Sequence, residues 1–311
     1  MIRVNRLTKM YGDQAAVDTV SFEIANGEIV GFLGPNGAGK TTTMKIITCF
    51  MPATSGTVEV DGLDVFDHSF EVRKKIGYLP ETAPLYPEMN VLEYLEFVQA
   101  VRRMPIAKRR SRLKDMIELC GLGDVVYKDI GELSKGYRQR VGLAQAIIHD
   151  PEILILDEPT IGLDPNQVVE IRRLIAELGH KKTLVLCTHI LSEAEAVCSR
   201  VLIINRGKIV ADGTPDTLRA GLQGRQRLLV QVKGDGDLDG VVQRLAALPE
   251  AQVESRATVE PGTISIVLTG GKDRDLREDV FRTVASAGAV LLEMRREVQS
   301  LEDVFRDLTR G

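Results

Sequence analysis

The chain has 311 residues, which is enough for two domains or for one large domain with an extension. A hydrophobic fraction of 44% beside 27% charged residues indicates a globular protein with a substantial core, and a net charge of −4 argues against a general nucleic-acid binder. The 4 cysteines form no CxxC or Cys/His cluster, which argues against a zinc site and fits a reducing compartment. No apolar run reaches about 18 residues, so we expect no membrane-spanning helix, and the N-terminus does not resemble a signal peptide.

The N-terminal part of the chain carries strand signals on both sides of a glycine-rich loop. The alternating segment Val17–Ala25 and the apolar run Glu28–Leu33 predict strands, and the loop follows the second of them. A helix is predicted from Lys40 to about Phe50. A strand at Thr57–Val60 is predicted to enter a tight turn at Asp61-Gly62.

A helical block follows, after which strand signals return. Apolar spacings of three and four predict helices from about Val91 to Ile148. Further strands are predicted at Ile153–Leu156, Thr183–Cys187 and Val201–Asn205, separated by helices at Asn166–Leu178 and Leu191–Cys198. Strands that alternate with helices indicate a mainly parallel sheet, with the helical block inserted between two sheet-forming halves.

The C-terminal part has a different order of elements, and the composition changes at Gly221–Arg227. The predicted elements are strand Leu228–Val232, helix Leu238–Leu248, strands Gln252–Thr258 and Thr263–Leu268, helix Asp275–Ala287, strand Ala289–Arg295 and helix Ser300–Thr309. The first six give the βαββαβ order of a ferredoxin-like module. We therefore predict an α/β chain with domains at 1–222 and 223–311, and with a helical subdomain at about 86–150.

The glycine-rich loop fits the pattern G-x-x-x-x-G-K-[ST] between a strand and a helix. Its residues are Gly34, Pro35, Asn36, Gly37, Ala38, Gly39, Lys40, Thr41 and Thr42. The glycines let backbone amides converge on phosphate oxygens, and the helix start adds the positive end of its dipole. Lys40 is expected to reach the β- and γ-phosphates, and the Thr41 hydroxyl is expected to bind Mg²⁺. A chance glycine-rich turn is the alternative, which the length and context of the match disfavour.

Two carboxylates, Asp157 and Glu158, follow the apolar strand Ile153–Leu156. In P-loop enzymes an Asp at the end of a buried strand holds the metal, and Glu158 would then orient or deprotonate the water that attacks the γ-phosphate. A strand with a solvated acidic end is the alternative, which the upstream loop disfavours. By itself His189, just after Thr183–Cys187, is more often structural than catalytic, so its role depends on the family.

Together these motifs resemble the ATP-binding subunit of an ABC transporter over residues 1 to about 215. The resemblance implies a P-loop NTPase (RecA-like) core with an antiparallel β subdomain and an inserted helical subdomain. It assigns Tyr11 to adenine stacking, Gly34–Thr42 to Walker A, Ser134, Lys135, Gly136 and Tyr137 to the signature, Ile153–Glu158 to Walker B, Asp164 to the D-loop and His189 to the switch histidine. YLPE at 78–81, SKGYRQR at 134–140 and SLEDVF at 300–305 are similar to multidrug-type and gliding-motility-type exporters with a separate permease.

The chain departs from the usual family motifs at four positions. Glu81, in the loop that joins the core to the helical subdomain, stands where the family usually has Gln. A carboxylate there would still be able to meet Mg²⁺ or the attacking water, while adding negative charge beside the phosphates. Lys135 replaces a Gly, Tyr137 replaces a Gln, and Ile161 replaces a small residue. Ser134 is expected to cap a helix, and Gly136 to let a phosphate approach the backbone.

The resemblance also implies a function. Two such ATPase chains, as a homodimer or with a similar chain, would pair head to tail around ATP and Mg²⁺, so that each Walker A loop meets the partner's signature. An integral-membrane permease would sit on the helical subdomain near Glu81, at the cytoplasmic face of the inner (plasma) membrane, and no nucleic-acid partner is expected. The alternative is a soluble ABC-type ATPase with a non-transport partner, which the single Walker A motif and the lack of a heptad run disfavour. The role of the C-terminal module stays open between regulation, dimerisation and stabilisation.

Overall fold

The computed structural model describes residues 1–221, 226–234, 236, 238–271, 275–297 and 301–309. Within these residues the chain forms two compact units. The first unit holds Met1–Pro215 together with the end of the chain from Leu308, and the second holds Asp216–Asp307. The domain boundary predicted after residue 222 and the helix start predicted at Ser300 lie outside the described residues, so both stay predictions.

Strands and helices alternate along the first unit. Its strands are β1 (Ile2–Tyr11), β2 (Gln14–Ile24), β3 (Ile29–Leu33), β4 (Ser55–Val60), β5 (Leu63–Asp64), β6 (Ile76–Leu79), β7 (Ile153–Asp157), β8 (Thr183–Thr188), β9 (Arg200–Asn205) and β10 (Lys208–Gly213). Its helices are α1 (Lys40–Ile47), α2 (Ser69–Lys75), α3 (Val91–Val101), α4 (Ile106–Leu119), α5 (Lys135–Ile147), α6 (Pro165–Gly179) and α7 (Leu191–Val197), and α8 (Pro215–Gly221) follows.

Four of these elements, α2, β5, β6 and β10, were not predicted from the sequence. β6 precedes the loop that contains Glu81. It runs parallel to β7, with Gly77 opposite Leu154 and Leu79 opposite Leu156. Glu81 lies just beyond the end of this strand.

The first unit contains two sheets. One is antiparallel, with the order β2-β1-β4-β5. The other has the order β10-β9-β3-β8-β7-β6, in which the neighbours from β9 to β6 are parallel and β10 is antiparallel to β9. The predicted mainly parallel sheet is therefore confirmed. Since β3, β8 and β7 are parallel neighbours, the loops after them meet at one edge, where ligands bind in open α/β sheets.

The two sheets share one apolar core. β7 and β8 are buried along their whole lengths, as expected for strands covered on both faces. Phe22 on β2 and Phe32 on β3 place their ring centroids 5.6 Å apart. Met44 and Ile47 of α1 enter the same core. Because the strand before the glycine-rich loop and the helix after it are both anchored in this core, the loop is held at both ends.

Helices α3, α4 and α5 form the helical block between β6 and β7. α3 begins with a capping box, in which Asn90 accepts a hydrogen bond from the Glu93 amide at 2.9 Å while Glu93 accepts one from the Asn90 amide at 3.3 Å. α5 lies close to the sheet edge, since a Cβ on Gly77 of β6 would come 2.2 Å from the Ala146 carbonyl oxygen. The backbone of α5 thereby contacts the parallel sheet directly.

The second unit has its own sheet and core. Its elements are β11 (Gln226–Lys233), α9 (Leu238–Ala246), β12 (Gln252–Glu260), β13 (Thr263–Gly270), α10 (Arg277–Ser286) and β14 (Val290–Glu297), after which α11 (Leu301–Thr309) follows. The strand order β12-β13-β11-β14, antiparallel throughout, is that of the predicted ferredoxin-like module. In the part of the chain that the structure describes, no helix combines the length and apolarity that crossing a bilayer requires.

Candidate functional site

The loop between β3 and α1 forms one wall of a pocket of about 270 Å³. The pocket lies at the sheet edge where β3, β7 and β8 end. Its lining consists of Ala16, Pro35, Asn36, Gly37, Gly39, Lys40, Thr41, Thr42, Glu81, Glu158 and Ile161. Gly34 lies behind this lining, where a Cβ would come 2.4 Å from the Ile204 carbonyl oxygen, and Ala38 is buried. The structure thus gathers most of the predicted phosphate-binding residues around one cavity.

Gly39 fixes the shape of the loop at the start of α1. Its φ is +108°, and a Cβ there would lie 2.4 Å from the Ala16 carbonyl oxygen, so a larger residue would be both strained and obstructed. A helix leaves its first amide groups without intrahelical partners, and the N-cap Gly39 has no side chain to accept their hydrogen bonds. The helix start can therefore offer amides and its positive dipole end to an anion.

Lys40 places a buried cation against this loop. Its side chain is 6% exposed, and its Nζ donates hydrogen bonds to the carbonyl oxygens of Gly34 at 2.7 Å and Pro35 at 3.3 Å. The same Nζ lies 3.5 Å from Oε1 of Glu158. A buried ammonium requires such partners, and here they hold it at the pocket wall.

Glu158 follows the last residue of β7 in a left-handed conformation, with φ at +51°. Its amide donates to the Cys187 carbonyl oxygen at 2.8 Å, which fixes the backbone against β8. Its carboxylate lies between two partners, since Oε2 is 2.9 Å from His189 Nδ1 while Oε1 faces Lys40. Left-handed backbone at a non-glycine residue is strained, and such strain concentrates at functional sites. The chain thus directs one nearly buried carboxylate at the pocket.

Asp157, the last residue of β7, is fully buried, and neither of its carboxylate oxygens has a hydrogen-bond partner among the described residues. Burial, together with the nearby carboxylates of Glu158 and Glu81, raises the pKa of Asp157 to about 6, although Thr41 and Lys40 oppose the shift. A buried carboxylate without a partner is costly. Hard divalent cations prefer such oxygen ligands, and Thr41 supplies a hydroxyl nearby.

Glu81 links this pocket to a larger groove of about 820 Å³ that it also lines. The groove runs beside the helical block and carries the half-exposed rings of Phe70, Tyr86 and Phe97. Two cations face the ring of Phe70, with Lys74 Nζ 4.3 Å and the Arg103 guanidinium carbon 5.6 Å from its centroid. Glu81 and Thr41, which both line the two cavities, therefore lie where the candidate phosphate pocket meets an open apolar surface.

Comparison with known proteins places this geometry in a family. A family model described as ABC transporter matches residues 17–161. The chain is 34% identical over 313 residues to the daunorubicin resistance ATP-binding protein DrrA3 of Streptomyces coeruleorubidus, covering 99% of this chain and 95% of that protein. This chain belongs to the ABC transporter ATP-binding proteins. As a member of that family it binds ATP and is an ATPase that serves ATP-driven transport.

Other relatives agree with this assignment. The bacitracin transport ATP-binding protein BcrA of Bacillus licheniformis is 32% identical over 307 residues, which cover 93% of this chain and 99% of that protein. A solved ATP-binding subunit of an ABC transporter has a TM-score of 0.66 at 31% identity, covering 71% of this chain and 92% of its own. The ATP-binding cassette MJ0796, solved as a dimer in a post-hydrolysis state with ADP and Pi, has a TM-score of 0.64 at 28% identity, covering 69% of this chain and 98% of its own.

The signature of this ABC ATPase lies away from its own phosphate pocket, since none of its four described residues lines that cavity. Ser134 is the N-cap of α5 and accepts a hydrogen bond from the Tyr137 amide at 3.4 Å, which confirms the predicted helix start. Asp164 of the D-loop is likewise the N-cap of α6 and accepts from the Gln167 amide at 3.0 Å. Both predicted motifs are therefore helix starts.

The signature and the D-loop contact each other within one chain. A Cβ on Gly136 would lie 2.6 Å from the carboxamide of Gln167, in the first turn of α6. A Cβ on Gly162, two residues before Asp164 in the D-loop, would lie 2.1 Å from Lys135 Nζ. Lys135, which replaces the usual glycine, therefore extends over the D-loop. It also lines a pocket of about 400 Å³ together with Glu81.

Tyr11 does not line the phosphate pocket. It ends β1 with 52% of its surface exposed, and its hydroxyl donates to Met51 Sδ at 3.4 Å. Its predicted stacking on adenine stays a prediction.

The sequence motifs missed a buried network next to the Glu158–His189 pair. Its centre is Glu193 on α7, whose carboxylate accepts hydrogen bonds from the hydroxyls of Thr160 and Thr188. Sequence offers only a weak signal for it, because a glutamate in a short helix is ordinarily exposed.

Proposed function

We propose that two copies of this chain hydrolyse ATP with Mg²⁺ at sites to which both copies contribute, and that they drive a permease in export. The observation that carries the proposal is the placement of Glu158 between His189 and Lys40 at the mouth of the P-loop pocket. A base, its orienting partner and a phosphate-binding cation thus meet in one place. The names of the relatives, which refer to daunorubicin resistance and bacitracin transport, support export as the direction.

The P-loop residues Gly34–Thr42 bind the phosphates of ATP. Phosphate oxygens are charged acceptors and form stronger hydrogen bonds with Lys40 than the carbonyl oxygens that it now contacts. The amides at the start of α1 provide further donors, and the dipole of the helix favours the negative charge.

Glu158 acts as the general base for water that attacks the γ-phosphorus. The carboxylate accepts the proton of the water as the new P–O bond forms and the bond to the ADP oxygen breaks, giving ADP and Pi. His189 orients Glu158, since its Nδ1 lies 2.9 Å from Oε2. Because the carboxylate is only 7% exposed at the side chain, bulk water competes little for its free electron pairs.

Thr41 and Asp157 would hold Mg²⁺, and Glu81 is the third candidate ligand. The fit rests on the two buried oxygens of Asp157, which lack partners among the described residues. When bound, the ion neutralises negative charge on the phosphate oxygens. The chain itself provides a rigid carboxylate at the end of β7 and a hydroxyl at the start of α1.

The signature residues Ser134, Lys135, Gly136 and Tyr137 act on the ATP held by the other copy, with Asp164 beside them. Their absence from the lining of their own chain's pocket supports this assignment, as do the dimeric cassettes of similar fold. The start of α5 carries a positive dipole end and the ammonium of Lys135, so it suits an anionic partner.

The permease docks in the groove beside the helical block. Half-exposed rings at Phe70, Tyr86 and Phe97 give this surface apolar anchors, which are typical of interface centres. Glu81 lines both this groove and the phosphate pocket, so its side chain connects the permease-docking surface to the ATP site. The ATPase would then lie at the cytoplasmic face of the inner membrane, attached through the permease.

The substitution Glu158→Gln tests the proposal. Hydrolysis should fall by at least about a hundredfold because the amide cannot accept the proton. ATP affinity should stay within about threefold of the parent, and ATP should trap a dimer that gel filtration detects. Glu152→Gln, at the opposite end of β7, is the matched control and should hydrolyse ATP at the parental rate. Parental turnover in Glu158→Gln would remove Glu158 as the base.

A further inference from the structure

A second buried carboxylate lies behind the Glu158–His189 pair. Glu193 is 2% exposed and does not line the phosphate pocket. One of its oxygens accepts a hydrogen bond from the Thr160 hydroxyl, and the other accepts one from the Thr188 hydroxyl at 2.9 Å. Both threonines are themselves buried, at 4% and 0% exposure. Such a network is fully desolvated, so each of its hydrogen bonds is costly to lose.

The two threonines belong to the two loops that carry the pair. Thr160 lies in the turn after β7, two residues beyond Glu158, and its carbonyl oxygen accepts from the Leu163 amide at 3.2 Å. Thr188 is the last residue of β8, immediately before His189. Its hydroxyl also accepts a hydrogen bond from an amide, that of Ile190, at 3.0 Å. Glu193 therefore connects the loop of Glu158 to the loop of His189.

Arg172 completes the network from a third element. Its Nη2 lies 3.9 Å from Oε1 of Glu193 and donates a hydrogen bond to Ser192 Oγ at 3.4 Å. Arg172 stands on α6, which begins directly after Asp164 of the D-loop. A buried carboxylate without a counter-ion is unfavourable, and this guanidinium balances its charge.

We propose that Glu193 is a positioning residue for ATP hydrolysis, which maintains the contact between Glu158 and His189 by tying their two loops together. The inference rests on the proposed function, since it requires Glu158 and His189 to act in hydrolysis. Glu193 itself touches neither ATP nor water in the pocket. Its effect reaches the reaction only through the two loops.

The chemistry of the carboxylate explains why glutamine does not replace it. An ionised carboxylate only accepts hydrogen bonds, and both threonine hydroxyls donate to it. A glutamine of the same size presents one accepting oxygen and one donating nitrogen. One of the two threonine contacts would then have to reverse its direction, and the charge that faces Arg172 would be lost.

The test compares Glu193→Gln with the parent in the full-length protein. The value of kcat should fall by at least about tenfold, whereas KM and the dissociation constant for ATP should stay within about twofold, because ATP binding does not use this network. Glu195→Gln, an exposed glutamate on the same helix, is the matched control and should keep the parental kcat. Thr188→Val should lower kcat in the same way, and Thr188→Ser, which retains the hydroxyl, should restore it.

A merely structural role would give a different pattern, with kcat, ATP affinity and melting temperature falling together. That pattern overturns the inference, and so does a Glu193→Gln variant with parental kcat. Combining Glu193→Gln with His189→Ala provides the second measurement. If Glu193 acts through His189, the double variant should be no more than about threefold slower than His189→Ala alone, whereas fully additive losses contradict the inference. Parental turnover in Glu158→Gln would overturn the proposed function itself, a result that none of these comparisons mimics.

Discussion

Glu158 shows how a single residue combines motif and tertiary structure. Sequence places it after the apolar strand and so predicts a base beside the phosphates. Its left-handed φ of +51° and its contacts with Lys40 and His189 depend on neighbouring strands, which no local pattern specifies. The identity of the base could therefore be predicted, whereas its orientation could not.

Glu81 is one of the four positions at which the chain departs from the usual family motifs. We expect Glu81→Gln to retain kcat within about twofold, since glutamine keeps an accepting oxygen and removes negative charge that raises the pKa of Asp157. Steady-state hydrolysis over a range of Mg²⁺ concentrations measures this, with the exposed Glu88→Gln as control. Loss of hydrolysis in Glu81→Gln alone would show that the carboxylate has its own chemical role.

His149 gives a prediction for stability against pH. Burial, with Arg102 nearby, lowers its pKa to about 4 from 6.5, and its Nε2 lies 3.2 Å from the Ile76 carbonyl oxygen. As the pH falls, the unfolded chain therefore binds a proton at His149 before the folded chain does. The stability that neutral His149 contributes is complete above pH 6.5 and is lost as the pH falls towards 4. Across that window the loss amounts to about 3 kcal/mol. Urea unfolding of His149→Gln should show a correspondingly smaller decrease, and an identical decrease would contradict the assignment.

At the level of whole elements, the sequence predicts strands and helices best where they are buried and long enough to show a clear pattern. β3, β7 and β8 are continuous apolar runs, and the sequence predicted them because strands covered on both faces need such residues. β6 has only four residues and includes Gly77, so its own strand propensity is weak. Its pairing with β7 stabilises it as a strand. α2 spans seven residues, too few for a clear helical period.

Gly77 lies where β6 and α5 of the helical block approach each other closely. Gly77→Ala should lower the free energy of unfolding of the full chain by about 1–3 kcal/mol, because the new Cβ would meet the Ala146 carbonyl oxygen at 2.2 Å. Gly123→Ala is the control, since a Cβ there meets nothing within 4 Å. Urea unfolding followed by circular dichroism compares the two. Equal midpoints would show that α5 moves away from β6 without cost.

For the whole molecule, the sequence predicts the βαββαβ order of the second unit, whereas in the first unit it misses α2, β5, β6 and β10. The second unit carries its own apolar core, with Leu228, Val230 and Ile266 among its members. Local periodicity is sufficient there because helices α9 and α10 each bury one face in that core. The contact of the signature with the D-loop could not be predicted in this way, since residues far apart in sequence form it.

The ATPase rate of a mixture of two inactive variants tests most directly whether two chains share each ATP site. Lys40→Met damages the P-loop, and Ser134→Asp keeps the cap of α5 while placing a negative charge at the signature. Each variant alone should be inactive. In an equal mixture half of the dimers contain one of each, and one of their two sites combines an intact P-loop with an intact signature, so about a quarter of the parental ATPase rate should return. A mixture as inactive as its components would contradict sites shared between two copies.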